Sequence, residues 1–219
     1  MTIQQFQELY YIAQSTDFDL DKSIKMVGAV TGKTPEQVEL MPIDKFNKLC
    51  SKVTKEFEVL DKRLYKTKPK SLVLASGRLY KINYEINKPP INAGKYVEVI
   101  TFGKEVIPNL HRIMASIVTP VKWRLGKLIP YELDHWEIAR DMERMSFEAA
   151  YHAAVFFYTH YSVSMKLIQP FLLKELMKKG VAREKAEEVL SSSSSILDGF
   201  TTPKWSQTLK TYLLNRFGN

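Results

Sequence analysis

The hydrophobic pattern of this chain changes period twice, and this change constrains the fold more than any other feature. From residue 1 to about 62, apolar side chains recur every three or four residues, as on one face of a helix. From about residue 71 they alternate with polar side chains, which is typical of a β-strand. Helical spacing returns at Val106. This order predicts a mainly α protein of the α+β class, a helical bundle with an inserted β-hairpin.

The alternating segment predicts a hairpin near residues 72–102. Its first run is SLVLASGRLYKINYEI, its second run is KYVEVITF, and the turn KPPINAG joins them. Ser76 and Gly77 predict a further tight turn that adds a third short strand. Because a lone hairpin is marginally stable in water, this one must pack on helices or on another chain.

The same pattern divides the chain into three segments. They are an N-terminal helical group (1–62), a basic segment with the β-hairpin (63–104), and a C-terminal helical core and tail (105–219). In the last segment, AAYHAAVFFY (149–158) is apolar almost all round, so we expect it at the centre of the core. Pro170 is expected to kink or end that helix.

Two shorter helices are predicted between the hairpin and this core helix. NLHRIMASIVTPV has apolar residues at helical spacing, and its helix is expected to end near Pro120. IPYELDHWEIARDMERM has the same spacing from Leu133 to Met142. The sequence therefore predicts a return to helical structure after the hairpin.

The stretch GAVTGKT, from Gly28 to Thr34, looks at first like a phosphate-binding loop. Such a loop needs four residues between its first glycine and Gly-Lys-Thr, whereas three separate Gly28 from Gly32. The stretch also follows a helical pattern, while a phosphate-binding loop follows a buried strand. GKTPEQ instead predicts a corner between helices, in which Gly32 ends one helix, Thr34 caps the next and Gln37 completes a capping box.

Charge is distributed unevenly along the chain, whose formal net charge is +8. Residues 1–43 carry three basic and six acidic side chains, whereas residues 44–104 carry fourteen basic and six acidic ones. The positive charge peaks in DKRLYKTKPK, residues 61–70. Such a segment is either a solvated linker or a surface for nucleic acid or an acidic protein, and the sequence leaves both interpretations open.

No segment has the pattern of a membrane or secretion signal. The N-terminal stretch MTIQQFQELYYIAQ lacks a basic segment followed by an apolar run. The longest apolar stretch, AAYHAAVFFY, is half as long as a membrane-spanning helix needs to be. We therefore expect synthesis in a cytoplasm and no membrane partner.

Candidate catalytic and metal-ligating residues are few. The single cysteine, Cys50, shares a predicted helix face with Phe46 and Leu49, which favours a buried thiol. Glu132 and His135 form one Glu-x-x-His, but the second pair that a carboxylate di-iron bundle requires is missing. The sequence therefore predicts a protein that is not an enzyme, with no catalytic residues, no cofactor and no metal.

A basic surface with tyrosines is the strongest candidate for binding. Aromatic side chains among basic residues can stack on bases and neutralise phosphates, although tyrosines on an alternating strand are also ordinary packing residues. The predicted interaction surface consists of Lys62, Arg63, Lys66, Lys68, Lys70, Arg78, Tyr80 and Tyr84.

The order of these parts resembles small virion and tail-assembly proteins of tailed phages, namely the crAss-like phages that infect Bacteroides. The resemblance covers residues 1–165 and concerns the arrangement of parts. It rests on four stretches: TGKTPEQVELMPIDKFNKL, GRLYKINYEINKPPINAGKYVEVITF, NLHRIMASIVTPV and MSFEAAYHAAVFFYTHY.

The resemblance implies a non-enzymatic structural protein of the virion and brings no catalytic residues with it. Such proteins are either ring components stacked at the portal and tail or tail-assembly chaperones that are absent from the finished particle. We expect a ring subunit of this head–tail connector region, a cyclic homo-oligomer of about twelve copies that contacts other tail or portal proteins. The alternatives are a tail-assembly chaperone and a nucleic-acid-binding protein that contacts DNA through the Tyr/Lys hairpin.

Two physical features favour assembly independently of the resemblance. The edge of a hairpin offers unpaired backbone groups to a neighbouring subunit. The acidic residues 1–43 and the basic residues 44–104 supply opposite charges to a contact between copies.

Overall fold

A computed structural model of the protein describes residues 1–58, 68–84, 98, 101–103, 105–178, 180, 182–185 and 187. Over these residues the chain is mainly helical and carries one four-stranded antiparallel sheet. The predicted α+β class is therefore confirmed. The chain divides into two compact units, of which the first contains the described residues 1–58 and 146–148 and the second contains the others.

In its described residues, the first unit contains four helices, which lie where the helical spacing predicts them. They are α1 (Ile3–Gln14), α2 (Asp19–Thr31), α3 (Pro35–Glu39) and α4 (Ile43–Glu58). At the start of α1, the Thr2 hydroxyl accepts a hydrogen bond from the Gln5 amide, and the Gln5 side chain accepts one from the Thr2 amide. This capping box satisfies two amides that the helix itself leaves unpaired.

Two apolar clusters lie in the core of the first unit. One contains Leu9, Met26 and Val53, and the other contains Val27, Val38 and Cys50. A stacked aromatic pair adds to this core: the rings of Phe6 and Phe147 are parallel, with centroids 3.5 Å apart. Burial of these side chains is what holds four short helices together, since helices of this length are marginal in isolation.

The corner predicted at GKTPEQ is confirmed. Gly32 takes the left-handed conformation (φ 69°) at the end of α2, where its amide bonds to the Gly28 carbonyl. The Thr34 hydroxyl accepts from the Gln37 amide at 3.4 Å, and the Gln37 side chain accepts from the Thr34 amide at 3.1 Å. Pro35 lies in the first turn of α3, where its missing N–H costs nothing.

In its described residues, the second unit combines the sheet with three longer helices. In chain order these are β1 (Leu72–Ala75), β2 (Arg78–Ile82), α5 (Val106–Ile117), β3 (Val118–Arg124), β4 (Lys127–Pro130), α6 (His135–Glu143) and α7 (Phe147–Lys178). The first two residues of α7 belong to the first unit. The strands lie in sequence order, and each pairs antiparallel with the next.

One face of the sheet contributes to the core of the second unit. Tyr80 is opposite Pro120 and Ile82 is opposite Val118, so these four side chains share a face. Tyr80, Ile82 and Val118 are buried. Helices supply the rest of the core, and their fully buried side chains include Leu110, Ile113, Met114, Ala153 and Phe157.

The predicted hairpin 72–102 is confirmed in its first part and wrong in its last. The tight turn at Ser76 and Gly77 joins β1 to β2, as predicted. The described residues of the second predicted strand, KYVEVITF, are helical instead: Glu98 and residues 101–102, with Gly103 following in the same conformation. The turn KPPINAG lies outside the described residues.

The sequence pattern did not predict the second hairpin, β3–β4, which lies between the two predicted helices and overlaps their ends. Helix α5 ends at Ile117, near the predicted stop, but Pro120 continues into a strand rather than a loop. Proline argues against a central strand because it cannot donate to the ladder. Here its carbonyl still accepts from the Tyr131 amide at 3.1 Å, and the apolar side chains of VTPV gain burial against the core.

Pro170 was expected to kink or end helix α7, but the helix runs through Pro170 to Lys178, so Pro170 does not end it. Gly180 follows with φ 82°, and its amide bonds to the Met177 carbonyl. Gly180 therefore ends the helix in the left-handed conformation that glycine adopts without steric cost. The tail beyond residue 187 lies outside the described residues.

Candidate interaction surface

The predicted basic surface is only partly available to a partner. Lys62, Arg63 and Lys66 lie outside the described residues, while Lys68 and Lys70 are exposed. The other three residues predicted for this surface, Arg78, Tyr80 and Tyr84, make contacts within the protein.

Tyr80 and Arg78 of β2 bind the same carboxylate on α6. The Tyr80 hydroxyl donates to Asp141 Oδ2 in a short hydrogen bond, and the Arg78 guanidinium donates to the same oxygen at 3.1 Å. A second arm of Arg78 lies 2.8 Å from Glu137. Burial, together with the hydrogen bond to Asp141, raises the pKa of Tyr80 well above its usual range. The phenol therefore stays protonated as a donor, and the network fixes β2 to α6.

Tyr84 is also a packing residue. Its ring meets Phe156 edge to face, with centroids 5.1 Å apart, and its hydroxyl donates to the Lys70 carbonyl at 3.0 Å. Burial raises the pKa of this phenol too. Neither Tyr80 nor Tyr84 exposes a ring face on which a base could stack.

The tip of the β3–β4 hairpin is the most exposed apolar feature of the second unit. We call residues 122–127 (KWRLGK) the basic tip. Trp123 is 66% exposed and Leu125 is 91% exposed, and the three cations Lys122, Arg124 and Lys127 are exposed with them. No described carboxylate forms an ion pair with any of these three cations, and no acidic residue occurs between positions 122 and 131.

Leu125 occupies this position at a conformational cost. Leu125 and Gly126 both have positive φ, 49° and 75°, which is the pattern of a type I′ hairpin turn. Asparagine and glycine are the usual residues there, and a bulky side chain in this region is an outlier. Leu125 recovers none of that cost by burial.

A second exposed apolar feature lies in the first unit, where α3 leads into α4. We call residues 36–44 (EQVELMPID) the acidic corner. Leu40 is 87% exposed and Ile43 is 68% exposed. Glu36, Glu39 and Asp44 are exposed beside them, and the segment has no basic residue.

An open pocket of about 330 Å³ lies next to GAVTGKT, and Glu8, Lys25, Gly28 and Lys33 are among its lining residues. It does not have the form of a phosphate cradle. The Lys33 carbonyl approaches so closely that a Cβ added to Gly28 would lie 2.8 Å from its oxygen. Gly28 therefore serves close backbone packing, and the Gly32 turn follows a helix C-terminus, whose dipole disfavours anions.

Arg112 and His135 both lie against neighbouring side chains of the protein. Arg112 lies between the rings of Phe102 and Trp136, 5.4 Å from each centroid. His135 Nδ1 is 3.8 Å from Glu98 Oε2. Because α6 begins at His135, Glu132 lies outside the helix and the two do not form a helical pair.

No cluster of three or more metal-ligating side chains occurs in the described part of the chain. Among the same residues, no helix combines the length and the apolar character needed to cross a membrane.

Comparisons of the chain with protein-family models, with curated proteins and with solved structures found no match.

The sequence signal for the basic tip was present. LG lies between the alternating runs VTPVKWR and KLIP, and glycine in a two-residue loop is a hairpin signal. This hairpin was not predicted, because Pro120 argues against a strand and the preceding residues have helical spacing.

Proposed function

We propose that this protein is a structural subunit that works by assembling with other protein chains, and that it is a ring subunit of the portal–tail region of a tailed phage. The observation that carries this proposal is the basic tip. Leu125 is almost fully exposed in a backbone conformation that leucine rarely adopts. Folding gains nothing from such a residue, whereas a contact with another chain would bury it.

Two pairs of large exposed apolar side chains lie within short charged segments. Scattered single apolar residues are normal on a protein surface, but clusters within a charged rim are typical of protein interaction sites. Trp123 with Leu125, and Leu40 with Ile43, form two such clusters. The resemblance in the order of parts to phage ring proteins supports the specific assignment.

Nucleic-acid binding through Arg78, Tyr80 and Tyr84 has less support. Stacking on bases requires exposed aromatic faces, and Tyr80 and Tyr84 are both buried. Arg78 is held by two carboxylates of α6, so it is not free to neutralise a phosphate.

Two measurements test the proposal. Mass photometry and negative-stain electron microscopy of the purified full chain are expected to show a closed ring. Mass spectrometry of purified phage particles is expected to detect the chain at a stoichiometry of several copies. A protein that stays monomeric up to about 100 μM, far above a dissociation constant of about 1 μM, contradicts the proposal. Absence from the particles favours the tail-assembly chaperone instead.

A further inference from the structure

The basic tip and the acidic corner carry opposite charges, and each exposes apolar side chains. Each is a short surface segment with two large exposed apolar side chains: Trp123 and Leu125 in one, Leu40 and Ile43 in the other. Each contains three exposed charges of a single sign, positive at the tip and negative at the corner, and exposed Lys45 directly follows the corner. From this match we infer that the basic tip of one copy docks on the acidic corner of a second copy.

The carboxylates of the acidic corner are available for such a contact. Glu39 and Asp44 form no ion pair within the described residues. The pKa of Glu36 is lowered, chiefly by its hydrogen bond to the Thr34 side chain, so this carboxylate is ionised at neutral pH. Three cations thus meet three anions, and burial of four apolar side chains supplies the attraction that charge steering alone does not.

A similar acidic segment nearby is a poorer partner. Phe18 and Leu20 are also exposed, between aspartates of DFDLD (17–21). However, Asp17 is already paired with Lys25, whose Nζ lies 2.6 Å from Oδ2.

The contact is heterologous, because the tip and the corner are different surfaces. Each copy would present one tip and one corner, and a repeated contact of this kind forms a ring when the rotation closes. This inference rests on the proposed function and names the surface through which copies meet.

Charge reversal gives the first test. The tip variant carries Lys122→Glu, Arg124→Glu and Lys127→Glu, and the corner variant carries Glu36→Lys, Glu39→Lys and Asp44→Lys. Sedimentation velocity is expected to show self-association weakened at least about 100-fold in each, because like charges then face one another. An equimolar mixture is expected to recover assembly, since the acidic tip of one variant fits the basic corner of the other.

A matched control separates this contact from general effects of charge. The control variant carries Asp19→Lys and Asp21→Lys, which replace two carboxylates in the first turn of α2. It is matched to the corner variant because Glu36 and Asp44 also lie in first turns, those of α3 and α4. This control is expected to assemble as the wild type does. Circular dichroism and thermal melting of every variant check that folding is retained.

Disulfide cross-linking gives a second, independent test. The variants L125C and L40C are expected to form a cross-linked dimer under mild oxidation when mixed and none when each is alone, because a heterologous contact brings position 125 to position 40. The native thiol does not compete, since Cys50 is buried and burial raises its pKa to about 11.

Each remaining outcome is decisive. Wild-type assembly with unaffected tip and corner variants overturns the docking inference and leaves the proposed function standing. Loss in both variants without recovery on mixing also overturns it, as does a cross-link formed by L125C alone. A wild-type protein that does not self-associate overturns both the inference and the proposed ring.

Discussion

The two hairpins of the sheet share a turn geometry but differ in what surrounds it. Ser76 and Gly77 have φ values of 49° and 78°, and Leu125 and Gly126 have 49° and 75°. The first hairpin is fixed beside its turn, because Arg78 binds carboxylates of α6. The second has no described ion pair at its tip and exposes a tryptophan and a leucine there.

This difference separates the requirements of folding from those of interaction. Both turns need a residue that tolerates positive φ followed by glycine, and serine meets that need without adding apolar surface. Leucine adds exposed apolar surface and conformational cost to the same turn. The fold therefore accounts for the residues of the first turn, whereas Trp123 and Leu125 of the second hairpin are the residues that we propose to contact another chain.

The largest effect is expected where the first hairpin is anchored. Asp141→Ala removes the acceptor of the buried Tyr80 hydroxyl and one partner of Arg78. Because Asp141 is only 8% exposed and its loss leaves a buried donor unpaired, unfolding should become easier by about 2–4 kcal/mol. Denaturant unfolding followed by circular dichroism measures this change.

Glu137→Ala is the matched control on the same helix. Its ion pair with Arg78 is half exposed on both sides, so its loss should cost less than about 1 kcal/mol. Equal losses in the two variants would contradict the buried network as the anchor.

A smaller, pH-dependent effect is expected in α5, the helix that leads into the second hairpin. Burial, together with the positive charge of Arg112, lowers the pKa of His111 to about 4. The unfolded chain binds this proton near the ordinary value of about 6.5. This contribution to stability is therefore complete above about pH 6.5 and is lost as the pH falls toward 4.

Thermal melting between pH 4 and pH 8 tests this expectation. His111→Gln is expected to have a flatter profile than the wild type below about pH 6.5, because glutamine carries no titrating proton. Parallel profiles would show that His111 is protonated equally in the folded and unfolded states.

The smallest effect is expected at the second turn itself. Leu125→Asn places a residue that favours positive φ at that position and should stabilise the fold by about 0.5–1 kcal/mol. The same variant should weaken self-association, since it removes an exposed apolar side chain. Ser76→Asn is the counterpart in the first turn and should leave self-association unchanged; a loss there would remove the contrast between the hairpins.

Sequence reasoning located part of the candidate surface. Lys68 and Lys70 are exposed, as a basic surface requires. The alternating pattern around Tyr80 predicted which residues share a face of the strand, but not which face is buried. Tyr80 lies on the buried face, where its hydroxyl bonds to Asp141 of α6. Leu125 was not predicted as a surface residue because its turn follows β3, and Pro120 argued against a strand there.

The sequence by itself determined the features that depend on residues three or four positions apart. GKTPEQ encodes its corner completely, because Gly32, Thr34 and Gln37 act on neighbouring backbone groups. The helices of the first unit likewise follow from apolar spacing, since each buries one stripe.

Only the tertiary structure decided the features whose partners are distant in sequence. Tyr80 meets Asp141 across 61 positions, and β3 pairs with a strand about 40 residues earlier, with Val121 opposite Leu79. No local sequence pattern identifies such a partner, because these hydrogen bonds and this burial depend on which distant segments the fold brings together. The choice of strand over helix at VTPV was made by that pairing, and it left the basic tip exposed.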